Sequence, residues 1–402
     1  MTKTTVHLLI VTGQTQANLI PVLQLKPDII ALAVSGAMRG KAGDFIKLLK
    51  TVAGYSDKTI IRYDHVADVG LKSIEDKAFE IADDLQERFP DCALTYHATG
   101  GTKLMTLGFC EVFRADGNQI LYTDTEHGRI EVVYPKQQPA MAIKSVLTID
   151  SYLQSAGKQY RKSADINWQQ QARQRKALTK WLAEQIEPLD SFWGAINSLV
   201  TKAMAETARG VSAAIAQPQQ QFNQETRGLW LQALTKIAEQ KLCQWGATKP
   251  EMLYFHDVAG AQYLSGQWLE EYVWHIAGDL KADDVKANVE FTEMGAPKDD
   301  IRNELDCVIV NHNRLLMIEC KTINFNKSAG KNADILYKLE SLGHRAGGLY
   351  GTKWLVSARP LDEATEKRAR EYAIKVISGA ALKDLKATLT EWMEAKNNKY
   401  VE

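Results

Sequence analysis

The stretch from Glu304 to Lys321 reads Glu-Leu-Asp-Cys-Val-Ile-Val-Asn-His-Asn-Arg-Leu-Leu-Met-Ile-Glu-Cys-Lys, and it restricts the fold more than any other part of the chain. Val308 to Val310 and Leu315 to Ile318 are uninterrupted apolar runs on either side of a polar turn. Side chains of a strand alternate between faces, so such runs suit strands covered on both sides. Leu305–Val310 and Leu315–Thr322 are therefore read as two strands joined at Asn311–Arg314. With His312 and Asn313 central in the turn, Asn311 faces Arg314. Counting back along the ladder sets Asp306 opposite Glu319 and Glu304 opposite Lys321. A slip of one residue would scatter these charges, so the reading depends on register.

Charges at one end of a doubly covered strand pair are costly unless they have a task. Two carboxylates and a backbone carbonyl make a hard oxygen site for Mg²⁺ or Mn²⁺. Such an ion lowers the pKa of a bound water and offsets charge building on a phosphate. An ammonium one alternate position away, that of Lys321, can orient the water or stabilise the transition state. A surface hairpin with cross-strand ion pairs uses the same residue types, but apolar residues on both faces argue against it.

Asp306, twelve residues, then Glu319-Cys320-Lys321 resembles the PD-(D/E)xK restriction-endonuclease-like superfamily, with Leu305 where proline is usual. Gly266-Gln267-Trp268-Leu269-Glu270 is similar to the first core helix of that superfamily. The resemblance covers roughly residues 266–360 and implies metal-dependent phosphodiester cleavage. It implies Asp306, Glu319 and Glu270 as metal ligands, Glu271 being the alternative to Glu270, and Lys321 as a further catalytic group. In the next helix Tyr337 and Lys338 are candidates to face the substrate, which periodicity alone leaves open.

From residue 6 to about 135 a different pattern holds. Strand-length apolar runs at Val6–Val11, Ile29–Val34, Thr59–Tyr63, Ala93–His97 and Gln119–Thr123 alternate with helical stretches Asp44–Val52, Ile74–Phe89 and Lys103–Phe113. A hairpin through His127–Gly128 leads into Ile130–Tyr134. In the second helix Ile74, Ala78, Ile81, Leu85 and Phe89 form one face. Alternation of this kind predicts an α/β fold with a mostly parallel sheet covered on both sides. Ligands of such sheets bind beyond the carboxyl ends of the strands. There the chain places two loops, Thr12 to Asn18 and Thr99-Gly100-Gly101-Thr102-Lys103, the latter at a helix N-terminus suited to phosphate. Neither loop reads GxGxxG, and Gly36–Lys41 is too short for a Walker loop.

The pair of loops, Thr99 to Lys103 in particular, resembles CARF domains, the Rossmann-like sensors of cyclic oligoadenylate. A CARF domain joined to a restriction-like nuclease is similar to the CARF–nuclease effectors of type III CRISPR systems. The resemblance implies a homodimer that binds cyclic oligoadenylate, with cyclic tetra-adenylate expected, across its two-fold interface, and then cleaves single-stranded DNA or RNA. By position it implies ring contacts from Gly13, Thr15, Gln16, Asn18, Gly100, Gly101, Thr102 and Lys103.

Three domains are expected: a Rossmann-like sensor over 1–140, a helical, winged-helix-like connector over 141–265, and a restriction-endonuclease-like α/β domain over 266–402. Lys plus Arg and Asp plus Glu both number 49, which excludes a wholly basic coat protein for nucleic acid. Locally the balance fails: Lys158 to Lys180 holds seven cations against Asp165 alone. That excess reads either as a solvated helix face or as a nucleic-acid path. Five scattered cysteines without a CxxC pair, and no long apolar span, predict a reduced, cytoplasmic chain without membrane contact. A ligand-responsive DNA-binding regulator with a silent nuclease fold is the competing function, and a sensor that degrades its own ligand a third. The intact Asp306, Glu319 and Lys321 set argues against the regulator.

Overall fold

The structure, a computed structural model, describes residues 3–205, 214–223, 226–297, 302–325, 329–347 and 351–395. The outermost residues of the first and last expected domains, 1–2 and 396–402, lie outside the described residues. Two compact units emerge: one formed mainly by residues up to Gln159, the other by Tyr160–Thr292 and Ala296–Met393. Of the helices in the expected connector, Ile149–Ser155 belongs to the first unit and those from Ile166 to Gln262 belong to the second. Among the described residues no helix is long and apolar enough to cross a membrane.

In chain order the first unit contains β1 (Thr5–Ile10), α1 (Thr15–Leu25), β2 (Ile29–Ser35), α2 (Arg39–Val52), β3 (Ile60–Val66), α3 (Leu71–Arg88), β4 (Ala93–His97), α4 (Lys103–Ala115), β5 (Gln119–Asp124), β6 (Arg129–Tyr134), β7 (Met141–Ala142) and α5 (Ile149–Ser155). Its sheet runs β3-β2-β1-β4-β5-β6-β7. The first five strands are parallel, and β6 and β7 add antiparallel pairs. Every residue of β2 is buried, as its unbroken apolar run requires. Val6, Leu8 and Ile10 of β1 share a core with Ile74, Ile81 and Leu85 of α3 and with Phe109 and Phe113 of α4. The chain steps outward through β1, β2 and β3, then returns to place β4 on the other side of β1. The loops after β1 and β4 therefore part at the switch point, where open α/β sheets hold ligands.

Thr15 to Asn18, read as loop, form the first turn of α1. Ala17 to Val22 are all buried, so this helix has no polar face to create a 3.6-residue period, and Pro21 inside it further masks it.

The strand β8 (Lys158–Lys162) leads into the second unit, which continues through α6 (Ile166–Gln174), α7 (Lys176–Glu184), α8 (Asp190–Ala203), β9 (Gln219–Gln221), α9 (Leu229–Glu239), β10 (Met252–Tyr254) and α10 (Val258–Gln262). A π-helical turn, Tyr263–Gln267, leads into α11 (Trp268–Asp279). Then follow β11 (Asp284–Glu293), β12 (Asn303–Asn311), β13 (Arg314–Lys321), α12 (Ala329–Ala346), β14 (Gly351–Ser357), α13 (Glu363–Glu371), β15 (Ile374–Ser378) and α14 (Leu385–Glu394). Its main sheet runs β15-β14-β13-β12-β11-β8, and β9 pairs antiparallel with β10 in a separate two-stranded sheet. Lys158–Lys162 is thus an edge strand of the main sheet, not part of a helical basic face. Leu182, Trp193, Ile196 and Trp230 join Trp268, Ile309, Leu316, Ile318 and Trp354 in one core. Trp193 stacks on Trp268 with ring centroids 4.7 Å apart.

Candidate active site and ligand loops

The β12–β13 hairpin has the expected register as far as Cys307, while the expected Asp306–Glu319 and Glu304–Lys321 pairs fall beyond the ladder. His312 and Asn313 have φ of 49° and 59°, the paired left-handed residues of a type I′ turn, which Asn tolerates. Asn311 faces Arg314, and the ladder runs from there to Cys307 opposite Ile318. Beyond that point the Cys320 backbone N–H donates to Asp306 Oδ2 at 2.6 Å, so the carboxylate takes over the strand end. Lys321 Nζ lies 3.3 Å from Asp306 Oδ2 and 2.8 Å from Glu319 Oε1, and it donates to the Cys320 carbonyl at 3.0 Å. From α12, Lys338 Nζ reaches Glu319 at 3.3 and 3.4 Å. Of the two residues that periodicity left open, Lys338 faces the carboxylates, while Tyr337 is exposed.

The two adjacent glutamates of α11 have separate fates. Glu271 is fully buried and takes a bidentate ion pair from Arg175, with Thr179 Oγ1 donating at 3.4 Å. The Arg175 guanidinium also lies 4.5 Å over the Tyr263 ring. Glu270 instead lies in the field of Asp306, Lys321, Glu304 and Glu319. Burial, then the charge of Asp306, pushes its carboxyl well above the ordinary range. Asp306 is raised by burial and then by Glu319, with Lys321 and the Cys320 N–H opposing. Burial would lower Lys321, but Asp306 and Glu319 outweigh it and hold the ammonium charged. Thr322, directly after the lysine, donates to Ser265 O at 2.6 Å, fastening β13 to the turn that precedes α11. No sequence signal marks Thr322 for this role.

The donors Asp306, Glu319 and Glu270 are all carboxylates and suit a hard divalent cation, whose charge would relieve their crowding. Among the described residues, however, no three His, Cys, Asp or Glu side chains converge as a ready ligand set. The Lys321 ammonium lies within ion-pair distance of both Asp306 and Glu319.

A pair of variants separates the two glutamates. Glu271→Ala should destabilise the second unit by about 3–5 kcal/mol, because Arg175 is left buried without its partner. Glu270→Gln should melt no lower than the parent, since it removes a carboxylate from a like-charged group. Thermal melts of both proteins check this, and equal destabilisation by both would contradict the assignment.

At the first unit's switch point, Gly13, Gly101, Thr102 and Lys103 are exposed at the rim. Thr102 caps α4, its hydroxyl accepting from Met105 N–H at 3.2 Å. Gly100 is buried against β1: a Cβ there would lie 2.1 Å from Ile10 O. Asn18 is 2% exposed, and its amide donates to that same carbonyl at 2.8 Å, so it braces the end of β1 beneath the loops. Gln16 donates to Ser155 Oγ of α5 at 3.1 Å, and Thr15 is half-buried.

The basic stretch is not a free cationic path. Lys158 pairs with Glu293, Lys162 with Glu290, Arg175 with Glu271, and Lys176 and Lys180 with Asp279. Arg161 donates to Thr292 Oγ1, and Arg173 hydrogen-bonds Gln169 and lies over Trp274. The acids that neutralise it come from about a hundred residues later in the chain, out of reach of any local count.

Residues 6–152 match the family described as Card1 CARF domain, and residues 257–396 match that described as Card1-like, endonuclease domain. No curated protein sequence matches the chain. Among solved structures, protein VC1899 from Vibrio cholerae is similar with a TM-score of 0.79 at 23% identity, over 97% of this chain and 98% of that one. Can2 from Sulfobacillus thermosulfidooxidans, solved in complex with cyclic tetra-adenylate, gives 0.74 at 22%, over 98% of each chain. A type III CRISPR defence DNA nuclease activated by cyclic oligoadenylate gives 0.53 at 14%, over 89% of this chain and 46% of that one. At these identities the likeness is one of fold.

Proposed function

The chain belongs to the Card1-like family by both its CARF domain and its endonuclease domain, and on that premise we propose that it is a cyclic-oligoadenylate-activated, metal-dependent endonuclease of type III CRISPR defence that cuts single-stranded DNA or RNA. The observation that carries the reading is the cluster of Asp306, Glu319 and Lys321 at the end of a buried hairpin, with Glu270 in its field. A Mg²⁺ or Mn²⁺ ion held by Asp306, Glu319 and Glu270 would supply an acidic water and offset charge on the phosphate. The charged Lys321 stabilises negative charge at the scissile group. The Cys320 N–H fixes Asp306, and the Thr322 bond to Ser265 O keeps the helix bearing Glu270 in place against the strand.

In the sensor, the small residues Gly13, Gly100 and Gly101 let backbone approach the ring, and Thr102 and Lys103 offer a hydroxyl and a cation at the start of α4. A two-fold ring suits an isologous dimer. Exposed Leu104 and Leu107 of α4, with Leu71 and Phe79 of α3, support a second copy as the neighbour of that face. Differential affinity of the ring for one arrangement of the dimer would then activate the nuclease.

The test incubates the protein with cyclic oligoadenylates of several ring sizes, Mn²⁺ or chelator, and labelled single- and double-stranded substrates. Cleavage of single strands that needs both cyclic tetra-adenylate and Mn²⁺ is expected. Sequence-specific duplex binding without cleavage would favour a regulator, and shortening of the ring itself would favour a self-limiting sensor.

A further inference from the structure

We propose that Tyr337, with Arg368 and Tyr372, forms a stacking site for an unpaired nucleobase on α12, the helix whose Lys338 reaches Glu319; this rests on the endonuclease reading. Tyr337 is 52% exposed, a large aromatic surface left in water on a helix. The residue after it on α12, Lys338, reaches Glu319, so the ring stands one helix position from a side chain that touches the site. The Arg368 guanidinium lies over the Tyr337 ring, 5.9 Å from its centroid, and the Tyr372 ring is tilted beside it at 5.7 Å.

Arg368 makes no ion pair among the described residues, so its charge remains for a phosphate. The two helices that carry these groups are fixed to one another where they start, Asn332 Nδ2 of α12 donating to Asp362 Oδ2 at the cap of α13 at 3.0 Å. Both helices start where β13 and β14 end, at the catalytic edge of the sheet, and run away from it, α13 to Tyr372, whose carbonyl accepts from Lys353 near the start of β14. An aromatic face with an adjacent unpaired arginine holds single strands by base stacking and backbone charge, with little choice of base. Because a paired base has no free face to offer, the site discriminates against duplex.

The experiment uses the full-length Asp306→Asn protein with cyclic tetra-adenylate and Mn²⁺, and an oligodeoxynucleotide carrying one 2-aminopurine, whose fluorescence falls on stacking. Quenching is expected with the single strand and not with its duplex. Adding Tyr337→Ala should abolish the quenching and weaken binding about tenfold or more, whereas Tyr337→Phe, which keeps the ring, should behave as the parent. An exposed side chain makes little contact with the core, so melting temperatures should not move. Binding and quenching unchanged by Tyr337→Ala would overturn the stacking site alone. Failure of the Asp306→Asn parent to bind any oligonucleotide would overturn the endonuclease reading and the stacking site with it.

Discussion

Asp306→Asn should lower activated cleavage about a thousandfold or more while leaving the fold intact. The loss follows because the several kcal/mol that a metal site supplies to a phosphoryl transition state depend on ionised ligands, and the amide is a weak one. The fold should survive because an asparagine oxygen can still accept from the Cys320 N–H, now met by Asp306 Oδ2 at 2.6 Å. One of three crowded carboxylates would also be gone: Glu270 and Asp306 are both raised, each in part by its acidic neighbours. The melting temperature should therefore equal or exceed that of the parent. Cleavage assays and melts on the same preparation check both halves. Residual metal-dependent cleavage near the parent rate would remove Asp306 from the chemistry.

Gly100→Ala should have the largest effect in the sensor. The added methyl would lie 2.1 Å from Ile10 O and 3.1 Å from Ile10 C. Those are backbone atoms of β1, and the carbonyl is held by the Asn18 amide as well, so nothing nearby can swing aside. The loop after β4 must move away from β1, which opens the switch point where the ring is proposed to sit. Overpacking of this kind costs about 1–3 kcal/mol or more, so the first unit should melt about 3–10 °C lower. Activation by cyclic tetra-adenylate should fall with it. Gly13→Ala is the matched control, because no atom lies within 4 Å of a Cβ there. If both alanine variants melt like the parent, the close approach of loop and strand is not a structural requirement.

Much of the candidate nuclease site was legible because its position depends on local rules. A His-Asn turn with both residues in the left-handed region fixes the hairpin register, and the register fixes where Asp306, Glu319 and Lys321 fall. The parallel strands of the sensor were equally plain from their apolar runs. What local rules do not carry was missed. The helix holding Asn18 is buried on all sides and so lacks a period. The basic stretch looked free because its neutralising acids, Asp279 and Glu271, are distant in sequence. Which of Glu270 and Glu271 turns toward Asp306 depends on the phase of one helix, and that phase shows only in the packing of Glu271 against Arg175.

That phase has a consequence for how the sequence can change. The π-helical turn Tyr263–Gln267 feeds α11 directly, so losing one residue there would advance every later side chain by about 100° around the helix axis. Glu271 would then take the position facing Asp306, and Tyr272 would meet Arg175, stranding a buried cation. Tyr263 and Leu264 of the turn are themselves fully buried, and a single-codon deletion should cost folding and chemistry together. Lineages of this protein should accordingly keep the length of the turn.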